Sequence, residues 1–295
     1  MHKPSPSFHA FTRAPPDNDF PYPGHPAILH TMPDLFPSAR LYDLDDGRLR
    51  EDIPLYAGFA RKTGGPALDL GVGAARLAIP IAREGVDVVG VDVSAPMLQG
   101  GRARIAAAGL YDRIHLVQAD FRHPPLASRH FALAYCGYNA FLHLIEGQDQ
   151  MRALTAWRRL LKPGGLLVID VENPQLDGLA LLMLQPGFEP EETLTDPATG
   201  EEICKSTRVQ VDLSDQILHF QRLYQGGEGE GAWEVAQDFE VRILFQRELA
   251  LLLDCAGYVD LRFYGDYQLN PWEPDSPRLI AVAAREPLSQ TGMHA

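Results

Sequence analysis

PALDLGVGAARLAIPIAREGVDVVGVDV, residues 66–93, sets the fold. Residues 67–70 are a short apolar run broken by one acid, the composition of a buried parallel strand ending at a sheet edge. Gly71 and Gly73 carry no Cβ, so the backbone can turn tightly there and come close to a ligand. A helix is expected next, with free N–H groups in its first turn. Residues 86–91 read as a second buried strand that delivers Asp92 at its tip. Asp69 and Asp92 lie 23 positions apart, so one βαβ unit puts two carboxylates and a glycine turn on one edge.

An acid at the second strand tip, about 20 residues beyond the glycines, suits a ribose diol, whose two hydroxyl protons a carboxylate can accept. NAD and S-adenosyl-L-methionine (SAM) both offer that diol. The dinucleotide pattern G-x-G-x-x-G fails at its third position, where Arg76 stands. A carboxylate at Asp69 would repel a pyrophosphate and suits the cationic amino end of SAM. An NAD enzyme stays open as an alternative, with Arg76 against it.

The chain has 295 residues, 45% hydrophobic, enough for one large domain or a domain with an insertion. No apolar run approaches the length of a membrane span. The proline- and histidine-rich amino-terminal stretch lacks the pattern of a secretory signal. Cys136, Cys204 and Cys255 are scattered and suggest neither a disulfide framework nor a metal cluster. A cytoplasmic setting and no metal are therefore expected. The formal charge of −13 argues against nucleic acid as the main partner, because phosphate contacts need a basic face.

In chain order, residues 1–37 hold nine prolines and read as a tail, or as a lid anchored by Phe8, Phe11, Phe20 and Tyr22. A helix is expected over 52–62, ended by Gly64 and Gly65, with Tyr42 and Asp43 before it. Val93 and the capping Ser94 lead into a helix bearing Met97 and running to about 108. Residues 114–118 form a third strand, whose tip carries Asp120 and Phe121 at the same edge as Asp69 and Asp92. A third carboxylate there, beside an aromatic, could take the exocyclic amine of an adenine. Residues 131–136 are a charge-free central strand opening into Gly137, Tyr138, Asn139, Phe141 and His143, where open α/β sheets hold their ligands. There Tyr138 and Phe141 could supply walls, and Asn139 and His143 polar handles. An amphipathic helix (148–161), a turn at 162–165 and a fifth strand (166–171) ending at Glu172 follow.

From about 186 to 244 the pattern changes to alternating polar and apolar residues, with strands expected at 203–211, 217–224 and 233–244. This reads as a small antiparallel sheet inserted into the core, on the substrate or oligomerisation side. A helix (245–257) and a strand pair (258–264 and 279–284) resume the core, separated by a long loop with Tyr267 and Trp272. The expected organisation is thus a core over 38–185, an insertion over 186–244, completion of the core over 245–286, and a tail over 287–295.

The segments LDLGVGAARLAIPIA, VVGVDVSAPMLQGGRAR, IHLVQADFR, FALAYCGYNAFLHL and LKPGGLLVIDVENP resemble the class I SAM-dependent methyltransferases, in that family's order and spacing. The resemblance covers about residues 50–175, with 245–285 completing the fold. It implies a Rossmann-like, doubly wound, mostly parallel seven-stranded sheet. It also implies that Asp69, Gly71 and Gly73 flank the methionine end of SAM, that Asp92 binds the ribose and that Asp120 with Phe121 binds adenine. The backbone at Cys136 and Gly137 would lie near the reactive methyl, and Tyr42 would close over the cofactor. Val93 and Met97 are counted with the same wall. Where the family's turn has a third glycine and a hydroxyl residue before it, this chain has Ala75 and Ala74, and Arg76 is the nearest group to compensate. The insertion and the 265–278 loop further resemble small-molecule methyltransferases, such as glycine and sarcosine N-methyltransferases and sugar N,N-dimethyltransferases.

Methyl transfer from a sulfonium needs chiefly alignment. An amine must arrive deprotonated, whereas a hydroxyl needs a general base, for which His143, Glu172 and Tyr138 are the candidates. The expected reaction is methylation of a small molecule at N or O, yielding S-adenosyl-L-homocysteine. Asn139, Phe141, Tyr267 and Trp272 are the expected substrate contacts. A SAM binder without turnover, or a methyltransferase acting on RNA or protein, are the alternatives. The inserted sheet has edges that could pair in a homodimer.

Overall fold

The computed structural model describes residues 39–185 and 187–287. The tail or lid expected over 1–37, with its four aromatic anchors, lies outside them, as do residues 288–295.

Strand β1 (Ala67–Leu70) is buried along its whole length and pairs in parallel with β2 (Val88–Asp92) on one side and β4 (Phe131–Cys136) on the other. Beyond β2 lies β3 (Ile114–Gln118), and beyond β4 lies β5 (Leu161–Glu172), both parallel. The chain winds outward from β1 to β3, returns to β4 and winds the other way. The carboxyl ends of β1 and β4 thus flank a topological switch point, the crevice where α/β sheets bind ligands. Two late strands, β10 (Tyr258–Tyr264) and β11 (Arg278–Arg285), complete the sheet in the order β10-β11-β5-β4-β1-β2-β3, with β11 antiparallel to both neighbours. This is the expected α/β, Rossmann-like architecture with seven strands.

Apolar strands need cover on both faces, and helices provide it. On one face α2 (Ile53–Thr63), α3 (Ala78–Arg83) and α4 (Ala95–Ala107) bring Tyr56, Ile81, Leu98 and Ile105 into one core. On the other, α5 (Gly147–Leu160) and α7 (Gln246–Cys255) bring Leu154, Trp157, Leu249 and Leu253. The buried Trp157 indole donates to the Phe121 carbonyl at 2.7 Å, satisfying its one polar atom.

Several elements depart from the sequence reading. The glycine turn runs on to Leu77 before α3 begins, because Ala75 takes a left-handed φ of 62°. The expected turn at 162–165 is absorbed into β5 as a register break between the Phe131–Leu161 and Leu133–Leu166 pairs. Two helices were not anticipated: α1 (Ala39–Leu44), too short to show a period, and α6 (Leu176–Leu184), too uniformly apolar to show a face.

The insertion between α6 and α7 is a four-stranded antiparallel meander, β6 (Glu189–Thr195), β7 (Glu202–Asp212), β8 (Ile217–Gly226) and β9 (Trp233–Arg242). Its edge strand β6, of sequence EPEETLT, carries too many acids to read as a strand.

Candidate active site

The edge at the ends of β1 and β2 is assembled by short-range bonds. Gly71 and Val72 donate to the Val91 carbonyl at 2.9 and 3.1 Å, stapling the glycine turn to the end of β2. Gly71 has φ 85°, and a Cβ there would fall 2.9 Å from the Ala140 Cβ, so no side chain fits. Asp92 accepts from the backbone N–H of Gly73 at 2.8 Å and of Ser94 at 2.9 Å. One carboxylate therefore clamps the turn and the start of α4 together. Ser94 caps α4 by accepting from Met97 N–H, and Met97 is buried against Gly73. Val93 stands 70% exposed beside Asp92.

Asp69 is 2% exposed and accepts from the buried Tyr135 hydroxyl at 3.1 Å. Burial pushes its carboxyl up to about 7, against the Tyr135 hydrogen bond and the Arg76 charge. Asp120 accepts from its neighbour Arg122, through the backbone N–H at 2.8 Å and Nε at 2.8 Å, and the side-chain hydrogen bond holds its carboxyl below the usual range. Arg122 also pairs with Asp149. Phe121 packs edge-on to Trp157 at 5.7 Å.

Arg76 does not serve as the spare cation the sequence suggested. Both its terminal nitrogens bond Asp52 at 2.7 Å in a buried fork, and Nη1 also reaches the Leu49 carbonyl at 3.0 Å. The residue ties the turn to the start of α2, and Tyr42 shares its field.

At the end of β4, Cys136 is buried, and a Cβ on Gly137 would meet Leu77 Cδ1 and the Tyr56 hydroxyl, each at 2.9 Å. Tyr138 and Asn139 follow with φ 46° and 67°, two successive non-glycine residues in a left-handed conformation. Such strain persists only where surroundings impose it. Here Asp170, wholly buried in β5, does so. Its Oδ2 accepts from Tyr138 N–H and Tyr56 OH, each at 3.3 Å, and from Tyr267 OH at 3.4 Å. Its Oδ1 holds Arg278 at 2.7–2.8 Å. Asn139 is pinned in turn, with Oδ1 accepting from Glu172 N–H at 2.7 Å and Arg278 at 3.1 Å. Trp272 donates to Asn173 at 3.2 Å. Phe141 corrects the sequence reading: it is fully buried, edge-on to Trp157, and belongs to the core instead of walling a pocket.

His143 ends the short turn after Asn139 and reaches the inserted sheet. Its Nδ1 lies 3.2 Å from the Glu240 carbonyl, its ring is edge-on to Phe239, and burial lowers its pKa. A carbonyl only accepts, so Nδ1 carries the proton and Nε2 presents its lone pair. Glu172 is exposed at the tip of β5, and burial raises the Tyr138 hydroxyl pKa.

The inserted sheet presents a charged face toward Asp45 and Asp46. Lys205 pairs with Asp45 at 2.9 Å, Tyr224 donates to Asp45 at 2.8 Å, and Arg222 pairs with Asp46 at 2.8 Å beneath the stacked Phe220 and Phe239 rings. Tyr138 OH reaches the same Asp46 at 3.4 Å. The sequence reading missed this cluster and Asp170. Asp170 left a signal, since a lone acid within LLVIDV, like Asp69 within ALDL, needs a buried partner. Lys205 and Arg222 left another, as charges on the inward phase of alternating strands.

Residues 67–165 match the family described as Methyltransferase domain. Ubiquinone/menaquinone biosynthesis C-methyltransferase UbiE of Coxiella burnetii is 33% identical over 119 residues, 39% of this chain and 46% of that protein. The methyltransferase GfsG of Streptomyces halstedii is 33% identical over 137 residues, 45% and 48% of the two chains. The chain spans about half the length of these curated relatives. Among solved structures, the CcbJ methyltransferase of Streptomyces caelestis superposes with a TM-score of 0.65 at 25% identity, over 81% of this chain and 97% of that one. The sugar N-methyltransferase KedS8 from Streptoalloteichus sp. does so with 0.66 at 18%, over 89% and 100%. The sheet order and these likenesses together give the chain the Rossmann-like fold of the class I SAM-dependent methyltransferases, with residues 67–165 matching a methyltransferase domain.

Proposed function

We propose that the protein transfers the methyl group of SAM to a nitrogen or oxygen of a small-molecule acceptor, releasing S-adenosyl-L-homocysteine. The observation that carries this reading is the meeting of Asp69, Asp92 and a side-chain-free glycine turn at the switch point between β1 and β4. The residues fit the group. Gly71 has no room for a Cβ against Ala140, which leaves its backbone bare for close approach to a ligand, Asp69 suits a cationic amino end, and Asp92 suits a diol beside the apolar Val93. Asp120 with Phe121 forms the far wall. SAM supplies an electrophilic methyl on a cationic sulfur that departs as a neutral thioether.

The chain's part is to align and deprotonate. His143, neutral at pH 7 with Nε2 unprotonated, is the first choice as base for a hydroxyl or ammonium acceptor. Tyr138, whose pKa burial raises, stays protonated and acts as a hydrogen-bond donor. Glu172 is the second choice as base. Asn139, Tyr267 and Trp272 border the acceptor space with the charged face of the inserted sheet. KedS8 and CalS10, described as a sugar N-methyltransferase and an amino pentose methyltransferase, cover 100% and 94% of their own lengths against this chain, which favours a small acceptor. A second reading, methylation at carbon, draws on the UbiE relatives. Pairing through the edge strands β6 and β9 would give a homodimer. No helix among the described residues is long and apolar enough to cross a membrane.

Incubation with methyl-labelled SAM and a small-metabolite extract tests the reading. Protein-dependent label in a small product supports it, and the labelled atom separates nitrogen, oxygen and carbon. SAM binding without transfer to any small fraction contradicts it.

A further inference from the structure

Tyr135 lies behind the crevice, in the core under Asp69. It is fully buried in β4, its ring packs at 5.2 Å against Tyr56, and its hydroxyl donates to Asp69 at 3.1 Å. Asp69 sits in the adjacent parallel strand, paired across the register with Tyr135 itself.

A carboxylate this deeply buried is costly to ionise unless donors or cations face it. The charged and titratable groups around Asp69 come from every element packed on it. β4 supplies Tyr135 and Cys136, the glycine turn supplies Arg76, β2 supplies Asp92, the start of α2 supplies Asp52, and α1 supplies Tyr42. Arg76 is committed to Asp52, with both forks at 2.7 Å, which dilutes its pull on Asp69. Asp92 and Asp52 oppose ionisation. Tyr135 is thus the one hydrogen-bond donor to Asp69 among the described residues, and its own hydroxyl is held protonated by burial.

We infer that Tyr135 is a positioning residue that keeps Asp69 ionised for the cationic amino end of SAM, so that cofactor affinity is gated by a proton shared within the Tyr135–Asp69 pair. This rests on the assignment of SAM to the β1–β4 edge. Burial raises Asp69 to about 7 while the Tyr135 hydrogen bond opposes the rise, so losing the hydroxyl moves the carboxyl further up. A hydrogen bond of this kind is worth about one pKa unit, a factor of about ten.

Calorimetric titration of SAM into the full chain and into Tyr135→Phe, from pH 5.5 to 8.5, tests the inference. The variant keeps the ring and its contact with Tyr56. The ratio of the two Kd values cancels the ligand's own amine titration. It is expected to be near one at pH 8.5 and to climb toward about ten at pH 5.5. A ratio that is constant across pH, at one or any other value, overturns the proposal, because a purely structural role weakens binding equally everywhere. Asp69→Asn is expected to abolish the loss of wild-type affinity below pH 7, and its persistence in that variant overturns the proposal too. Should Tyr135→Phe fail to fold, the Asp69 carboxyl carbon can be titrated by NMR in the wild type. Its midpoint is expected near 7 and at least one unit lower with SAM bound, and an unchanged midpoint refutes the gate. Wild type that binds SAM without an acidic limb sinks this inference alone, whereas wild type that never binds SAM sinks the edge assignment with it.

Discussion

The two sides of the crevice are built in opposite ways. At the β1–β2 edge, Asp92 grips Gly73 from 19 positions away and Ser94 from two, within one βαβ unit. Under the inserted sheet, Asp45 meets Lys205 and Tyr224 across 160 and 179 positions, and Asp46 meets Arg222 across 176. Asp170 gathers Tyr56, Tyr267 and Arg278 from 114, 97 and 108 positions away. A site made by one supersecondary unit is specified locally. A site made by an insertion folding back over the core is specified only once the whole chain has closed. Under the proposed function, the first half would hold SAM and the second would set the choice of acceptor.

Substitutions in each half should therefore fail differently. The largest effect is expected at Asp170→Ala, which leaves Arg278 buried without its partner and frees the strained Tyr138–Asn139 turn. Breaking such a pair costs about 3–5 kcal/mol, a fall of roughly 6–20 °C in Tm for a chain of this size, readable by calorimetry. A fall of under 2 °C would mean that the turn holds without its hub. Next comes Asp92→Ala, which removes two charge-assisted backbone bonds and, under the proposed function, the diol contact. SAM affinity should drop about 100-fold or more, equivalent to about 3 kcal/mol, with a smaller change in stability. Lys205→Met probes the other half, leaving Asp45 with Tyr224 and the more distant Arg222 at 3.8 Å. It should destabilise by about 2 kcal/mol while leaving SAM affinity within about two-fold. A large loss of SAM affinity there would break the comparison. The smallest effect is expected at Ala75→Gly. Glycine relieves a left-handed residue worth about 1 kcal/mol but forfeits a buried methyl, so stability should change by less than about 1 kcal/mol.

The same contrast explains how much could be read from the sequence. Strands 114–118 and 131–136 were legible to the residue, because buried parallel strands are continuous apolar runs bounded by polar turns. The two acids at 69 and 92 were legible because their distance from the glycines is fixed by one βαβ unit. Arg76 was not, because its partner Asp52 lies on the preceding helix and nothing local marks the pair. Phe141 was misread for a related reason: sequence places it beside the crevice, but only packing shows that its ring turns away toward Trp157. The inserted hairpin announced itself by alternation, yet its inward charges could not be matched to Asp45 and Asp46 before the sheet was seen to lie against them.

Hydrogen–deuterium exchange with and without SAM tests this division most directly. Slowed exchange is expected at residues 71–76, 92–97, 119–121 and 136–139, with β7, β8 and β9 unchanged. Protection centred on the inserted sheet, with the β1–β2–β4 edge unaffected, would contradict it.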